Sequence, residues 1–226
     1  FSPRGDALVA KSISSDVDNV ALVTTDAEGS SVRMIASLGS KADQVIPAWS
    51  PADTAVAMLV EHLDGDRQEI FFFGKNDENY KSVVVEGWGF SGRWTPTGDR
   101  LLYSTYRRDN GERPMLAVVD ASPNSAGRNR TSLGVQTWAD KCTFADNLTA
   151  YCAVPRSLPE GAGLFPEQNR DTPDDVYLVN LNTGTASLVA SPADAHAMAN
   201  LLVSADGRTI YFTDAADGRL YEMAIP

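Results

Sequence analysis

Apolar and polar residues alternate in short runs along this chain, and the runs recur in a fixed frame. AWSPADTAVAML from Ala48 lines up with RWTPTGDRLLYS from Arg93, and FSPRGDALVA from Phe1 fits the same frame. It reads aromatic, Ser or Thr, Pro, two or three turn residues, then alternating apolar positions. CTFADNLTAYCA from Cys142 and LVSADGRTIYFT from Leu202 are weaker copies. The proline column is then Pro3, Pro51, Pro96, Phe144 and Ser204, at spacings of 48, 45, 48 and 60 residues. Self-similarity at this period is the signature of a blade repeat.

Each module pairs a short segment ending at the anchor with an alternating run such as Leu101 to Tyr106, across a tight turn such as Thr97-Gly98-Asp99. A polar loop follows, then a second β-rich run (Glu69 to Phe73, Met115 to Val119, Val176 to Leu181) and a third (Lys81 to Val85, Thr185 to Val189). The pattern predicts four antiparallel strands per module. No capped 3.6-residue periodicity competes with it, so the chain is expected to be all-β, a propeller of about five four-stranded blades. The first module begins at its second strand and the last ends in its third. Both terminal blades are thus expected to be incomplete, and residues 1–226 to form a single propeller domain belonging to a longer chain.

At the anchors the chain resembles the TolB-like, WD40-like family of bacterial propeller repeats. Trp94-Thr95-Pro96-Thr97-Gly98-Asp99-Arg100-Leu101-Leu102-Tyr103-Ser104, followed by Arg108-Asp109-Asn110-Gly111, carries the resemblance best, and Ser204-Ala205-Asp206-Gly207-Arg208-Thr209-Ile210-Tyr211-Phe212 carries it well. The resemblance implies a propeller architecture and a binding or scaffolding habit, not a reaction, because the motif specifies turns and packing. Ala52-Asp53-Thr54 and Ala145-Asp146-Asn147 depart from it by lacking the turn glycine.

Composition narrows the partners. The formal net charge is −11 over 226 residues, which disfavours nucleic acid and anionic lipid and favours cationic or neutral partners. The least charged long stretch, Ala186 to Ala205, is broken by Pro192, Asp194, His196 and Asn200, so no membrane insertion by this segment is expected. The two cysteines, Cys142 and Cys152, face each other across the predicted turn at Asp146-Asn147-Leu148. They are read as a cross-strand disulfide, which implies an extracytoplasmic compartment, or as two small buried side chains.

Catalytic chemistry finds little purchase. Gly89-Phe90-Ser91-Gly92-Arg93 lacks the second glycine of a nucleophile elbow, and Ser191, Asp194 and His196 make a small loop rather than a triad. Neither His62 nor His196 has metal-ligand spacing with the cysteines, so no metal and no cofactor are expected. The clusters Asp16 with Asp18, Asp64 with Asp66, Asp171 with Asp174 and Asp175, and Asp214 with Asp217 are read as solvated turns. Arg4-Gly5-Asp6 belongs to the repeat's turn column.

The working face is expected where the second-to-third-strand loops emerge: Ser12 to Asn19, His62 to Gln68, Arg107 to Arg113, Pro155 to Pro173, and Asp214 to Gly218. Pro155 to Pro173 is the longest, with four prolines, and loops of this length are usually functional or disordered. Leu164 and Phe165, rimmed by Glu160, Glu167 and Arg170, form its apolar centre, and the blade connections add Trp88, Phe90, Trp138 and His196. Trp49 and Trp94 are assigned to the core. The leading expectation is a non-catalytic extracytoplasmic propeller binding a protein or cell-envelope component. The alternatives are a propeller glycoside hydrolase with acids from Asp43, Asp140 and Asp194, and the regulatory propeller of a peptidase.

Overall fold

The structure, a computed structural model, describes residues 1–169 and 171–225. It contains five antiparallel sheets in chain order. The first holds β1 (Ala7–Ser12), β2 (Ala21–Asp26) and β3 (Arg33–Ser37); the second holds β4 (Val45–Pro47), β5 (Ala55–Asp64), β6 (Arg67–Gly74) and β7 (Val83–Glu86). The third holds β8 (Trp88–Trp94), β9 (Arg100–Tyr106), β10 (Pro114–Asp120) and β11 (Thr131–Ser132). The fourth holds β12 (Cys142–Phe144), β13 (Thr149–Pro155), β14 (Asp174–Asn180) and β15 (Ala186–Ala190). The fifth holds β16 (Met198–Val203), β17 (Thr209–Asp214) and β18 (Leu220–Ala224). Strands within each sheet are consecutive neighbours, and the first and last sheets have three strands, as the alternation predicts.

The repeat is built on one serine-centred turn. In the modules starting at Ser2, Ser50 and Ser204, the serine N–H donates five residues on, to Ala7 O, Ala55 O and Thr209 O, each at 2.8 Å. The serine carbonyl accepts from the residue three further on: Gly5, Asp53 or Gly207. That residue has positive φ, +72°, +58° and +71° respectively, which explains the glycines. Asp53 replaces glycine because its carboxylate accepts from Trp49 Nε1 (2.8 Å) and Lys75 Nζ (2.7 Å), local bonds that offset the left-handed conformation. This register puts Ser204 in the column of Ser2 and Ser50. The proline column is therefore held by Ala205, one residue later than the sequence alignment places it.

The segment 62–68 is not a loop. Strands β5 and β6 run through it, pairing His62 with Gln68 and Asp64 with Arg67 around Gly65. Alternation continues past the expected strand end, leaving a tight hairpin. Cys142 pairs with Cys152 across β12 and β13, and the two are joined in a disulfide.

The chain divides into two compact units: Phe1–Val85 with Thr97–Arg100 and Asp120–Arg128, and Glu86–Pro96 with Leu101–Val119 and Asn129–Pro226. In the first, Val20, Leu22, Leu38, Val45, Val56 and Ala57 form the core, with Trp49 packed at its edge. In the second, one cluster gathers Leu102, Leu116, Val118, Leu133, Val179 and Leu181 around the disulfide, and another gathers Met198, Leu201, Ile210 and Phe212. Trp94 is buried, whereas Trp49 is half-buried. No helix among the described residues is long and apolar enough to cross a membrane.

Candidate functional site

Within the segment 155–173, the described residues 155–169 and 171–173 form a strap in the second unit. Arg156 N–H donates to Pro173 O (2.8 Å) and closes its base. Gly161 N–H donates to Gly111 O (2.9 Å) and Gly163 N–H to Glu112 O (2.7 Å), while Arg113 Nε donates to Leu158 O (2.9 Å). A 3-10 turn over Pro166–Asn169 follows, its end held by Asn169 Nδ2 donating to Phe165 O (3.1 Å). With Ala162, Gly163 and Asn169 buried, the bend pushes Leu164 and Phe165 outward, leaving them 41% and 56% exposed.

Beside the strap lies a cavity of about 740 Å³ whose walls include Trp138, Tyr106, Asp140, Lys141, Asn200 and Asp214, with Leu164, Pro166 and Glu167 contributed by the strap. Each wall has a local cause. Tyr106 is seated against two glycines: a Cβ on Gly163 would fall 2.4 Å from Tyr106 Cβ, and one on Gly89 would fall 2.6 Å from Tyr106 Cε1. Burial, followed by the charge of Glu112, raises the Tyr106 hydroxyl above its ordinary value. Trp138 precedes the 3-10 turn Ala139–Lys141, whose Ala139 N–H donates to Ser104 Oγ (3.2 Å). Asn200 sits at φ +52° where the β16–β17 register shifts between Ala199 and Leu202, a bulge that re-aims a side chain.

Two buried carboxylates, Asp174 and Asp214, are each met by a basic side chain, and Lys141 and Asp214 of these pairs line the cavity. Lys141 Nζ meets Asp174 Oδ2 at 2.7 Å, with Asp174 fully buried and Lys141 13% exposed. Asp174 Oδ2 also accepts from Met198 N–H (2.7 Å), whereas Oδ1 has no hydrogen-bond partner. Desolvation raises the Asp174 carboxyl above its ordinary value, against the opposing pull of Lys141. His196 Nδ1–H donates to Asp214 Oδ2 (2.6 Å), and Ala216 N–H donates to Asp214 Oδ1 (2.9 Å). Burial alone would raise the Asp214 carboxyl, but these bonds and the His196 charge prevail and hold it low. The His196 ring packs on Tyr221 and Phe212, with centroids at 4.4 and 5.4 Å.

The structure sorts the residues singled out by sequence. Leu164, Glu167 and Trp138 line the cavity, Phe165 adjoins them on the strap, and Glu160 is exposed near Gly111. Arg170 lies outside the described residues. Trp88 is half-buried opposite Tyr106 in the β8–β9 ladder and does not line the cavity. Phe90 is corrected from surface to core: it is 9% exposed and stacks on Tyr103 at 5.9 Å, on the same buried side as Trp94. His196 is likewise a half-buried partner of Asp214 rather than an exposed contact. Of the three acids considered for hydrolysis, Asp140 lines the cavity, Asp194 is exposed outside it, and Asp43 belongs to the first unit.

Asp174 and Asp214 are not the solvated turn residues that sequence suggested; β14 and β17 carry them into the interior, where Lys141 and His196 meet them. Ser191 donates to Asp175 Oδ1 (2.7 Å) and takes no part with His196 in a triad. Tyr106, Lys141 and Asn200 were not singled out by the sequence, which had read Asp174 and Asp214 only as turn residues. The Gly89 and Gly163 pair flanking Tyr106 is a signal that becomes readable only once the strap is placed.

No family model and no curated protein matches the chain. Solved structures match its fold. TolB from Acinetobacter baumannii is 14% identical with a TM-score of 0.57, covering 97% of this chain and 52% of its own. An uncharacterized Listeria monocytogenes protein is 10% identical at 0.61, covering 99% and 64%. The β-propeller domain of the Trilobed protease from Pyrococcus furiosus is 13% identical at 0.63, covering 100% and 66%. The chain thus has a β-propeller fold and spans between half and two thirds of the length of these proteins.

Proposed function

We propose that this propeller is a non-catalytic module that binds a protein or cell-envelope component through the strap face, in an extracytoplasmic compartment. The observation that carries the reading is the strap itself: its backbone is fastened to the 107–113 connection while Leu164 and Phe165 stand exposed beside a cavity. An exposed apolar pair on an already ordered backbone lowers the ordering cost of association, which favours a binding role. The Cys142–Cys152 disulfide supports an oxidising compartment. Affinity capture from an envelope extract, comparing the native chain with one whose 155–173 segment is replaced by a short turn, tests the reading. A partner lost with the strap supports it, and identical profiles for the two baits overturn it.

A second reading is favoured by the fold likeness to the Trilobed protease propeller: a regulatory propeller attached to a peptidase domain. The sequence flanking the propeller decides it, since that reading requires a hydrolase domain in the same protein.

A further inference from the structure

We infer that the limb of the strap over residues 158–169 is a lid. In the free chain it undocks from the 107–113 connection as one body, with the sheets still folded, and so opens the cavity it walls. The inference concerns the chain without a partner and goes beyond the binding reading above. Bonds of two kinds run through the limb. One kind closes within it: Leu164 N–H donates to Gly161 O (3.0 Å), Gln168 N–H to Phe165 O (3.1 Å) and Asn169 Nδ2 to Phe165 O (3.1 Å). These short-range bonds travel with the limb. The other kind docks it: Gly161 and Gly163 N–H donate to the carbonyls of Gly111 and Glu112, and Arg113 Nε donates to Leu158 O. Gly111, Glu112 and Arg113 lie between β9 and β10, in no strand, so breaking these bonds leaves the sheet ladders whole. At the root, Arg156 N–H continues the β13–β14 pairing onto Pro173 O, and its guanidinium bonds Asp175 Oδ1 (2.8 Å) and Pro192 O (2.6 Å). The base of the strap therefore stays on the sheet when the limb moves.

The limb hides little apolar surface. Its large apolar side chains, Leu164 and Phe165, stand exposed, Leu158 is half-buried, and its buried residues are Ala162, Gly163 and Asn169. By contrast β9 buries every residue from Leu101 to Thr105. Local opening costs least where apolar burial is small, so the limb opens far more readily than the sheet beside it. Strain works in the same direction. Glu112 presents its docking carbonyl at φ +53°, a left-handed conformation that a residue with a Cβ adopts at a cost. Gly163 abuts Tyr106 closely but has no side chain of its own to interlock there. The cavity takes Gly163, Leu164, Pro166 and Glu167 from the limb and Tyr106 and Trp138 from outside it, so undocking removes one wall.

Residue-resolved hydrogen exchange on the purified chain, at rising urea below the unfolding transition, tests this. The amides of Gly161 and Gly163, the two docking donors, should show equal protection, about a hundredfold below that of the β13–β14 ladder. Their rates should not respond to urea, because undocking exposes little surface. Arg113→Gln removes the bond to Leu158 and should speed both glycine amides about fivefold, whereas Glu112→Gly relieves the left-handed strain and should slow both about threefold. Val179→Ala changes a core contact that docked and undocked forms share. It should lower ladder protection at least about tenfold and leave the two glycines unchanged. Ladder-level protection of the glycines, unequal or absent protection, a fall alongside the ladder in Val179→Ala, or indifference to both loop substitutions would overturn the inference. Each of those results leaves the binding reading to its own capture experiment.

Discussion

Replacing Lys141 by Met isolates its buried pair with Asp174. The substitution keeps the volume of an unbranched chain but strips the fully buried Asp174 of its counter-ion, leaving only the Met198 N–H on Oδ2 and nothing on Oδ1. Removing one partner of such a pair costs about 3–5 kcal/mol. In a domain of this size that lowers the unfolding midpoint by roughly 6–20 °C. The loss has a defined pH dependence. The Asp174 carboxyl already lies above 3.8 through desolvation, and without Lys141 it rises further. Between 3.8 and that raised value the folded state binds more protons than the unfolded one, so stability falls as pH rises through this window. Acidification therefore shrinks the deficit of the variant relative to the native chain. Urea unfolding at pH 7.5 and pH 5 measures it, and adding Asp174→Asn should recover all but about 1 kcal/mol by removing the uncompensated charge. A deficit under about 1 kcal/mol at pH 7.5, or one that grows on acidification, would refute the reasoning.

Gly163→Ala places a Cβ 2.4 Å from Tyr106 Cβ and 2.7 Å from Glu112 O, and should cost about 1–3 kcal/mol in urea unfolding. The disulfide closes a short loop with a sequence separation of 10; Cys142→Ala/Cys152→Ala should cost about 2–3 kcal/mol, and alkylation without reductant should add no mass to the native chain. Asp53→Ala keeps a Cβ at φ +58° but loses the bonds from Trp49 and Lys75, and should lower stability by about 1–2 kcal/mol at neutral pH. For Asp53, burial works upward, but the bonds from Lys75 and Trp49 prevail and hold the carboxyl below 3.8. Its contribution is thus present above 3.8 and lost as pH falls through the lowered value, so the native and Asp53→Ala chains should converge in acid titrations below pH 3.8.

The alternation and turn chemistry made the sheets legible because both are local: a serine and the residue three positions later close the same hairpin whatever surrounds it. Cys142 and Cys152 were legible for the same reason, being symmetric about their turn. Ser204 slipped by one column because Ala205 offers no proline to mark the register, which the backbone bonds fix instead. Phe90 was misplaced although its spacing from Trp94 puts both on one side of a strand, a period-two signal that its loop-like glycines masked. The Lys141–Asp174 and His196–Asp214 pairs span 33 and 18 residues, each joining a residue just ahead of a strand to one in a later strand, so no local pattern announces them. Exposure of Leu164 and Phe165 followed from their charged surroundings, but the cavity beside them arises only when the strap meets the 107–113 connection.

Hydrogen exchange on the propeller with and without its captured partner tests the binding face most directly. Partner binding should slow exchange over residues 158–169 and around Trp138, and Leu164→Asp/Phe165→Asp should abolish that protection while the sheet amides exchange as before. Protection confined to the first unit, with residues 158–169 exchanging at their free rate, would contradict the account.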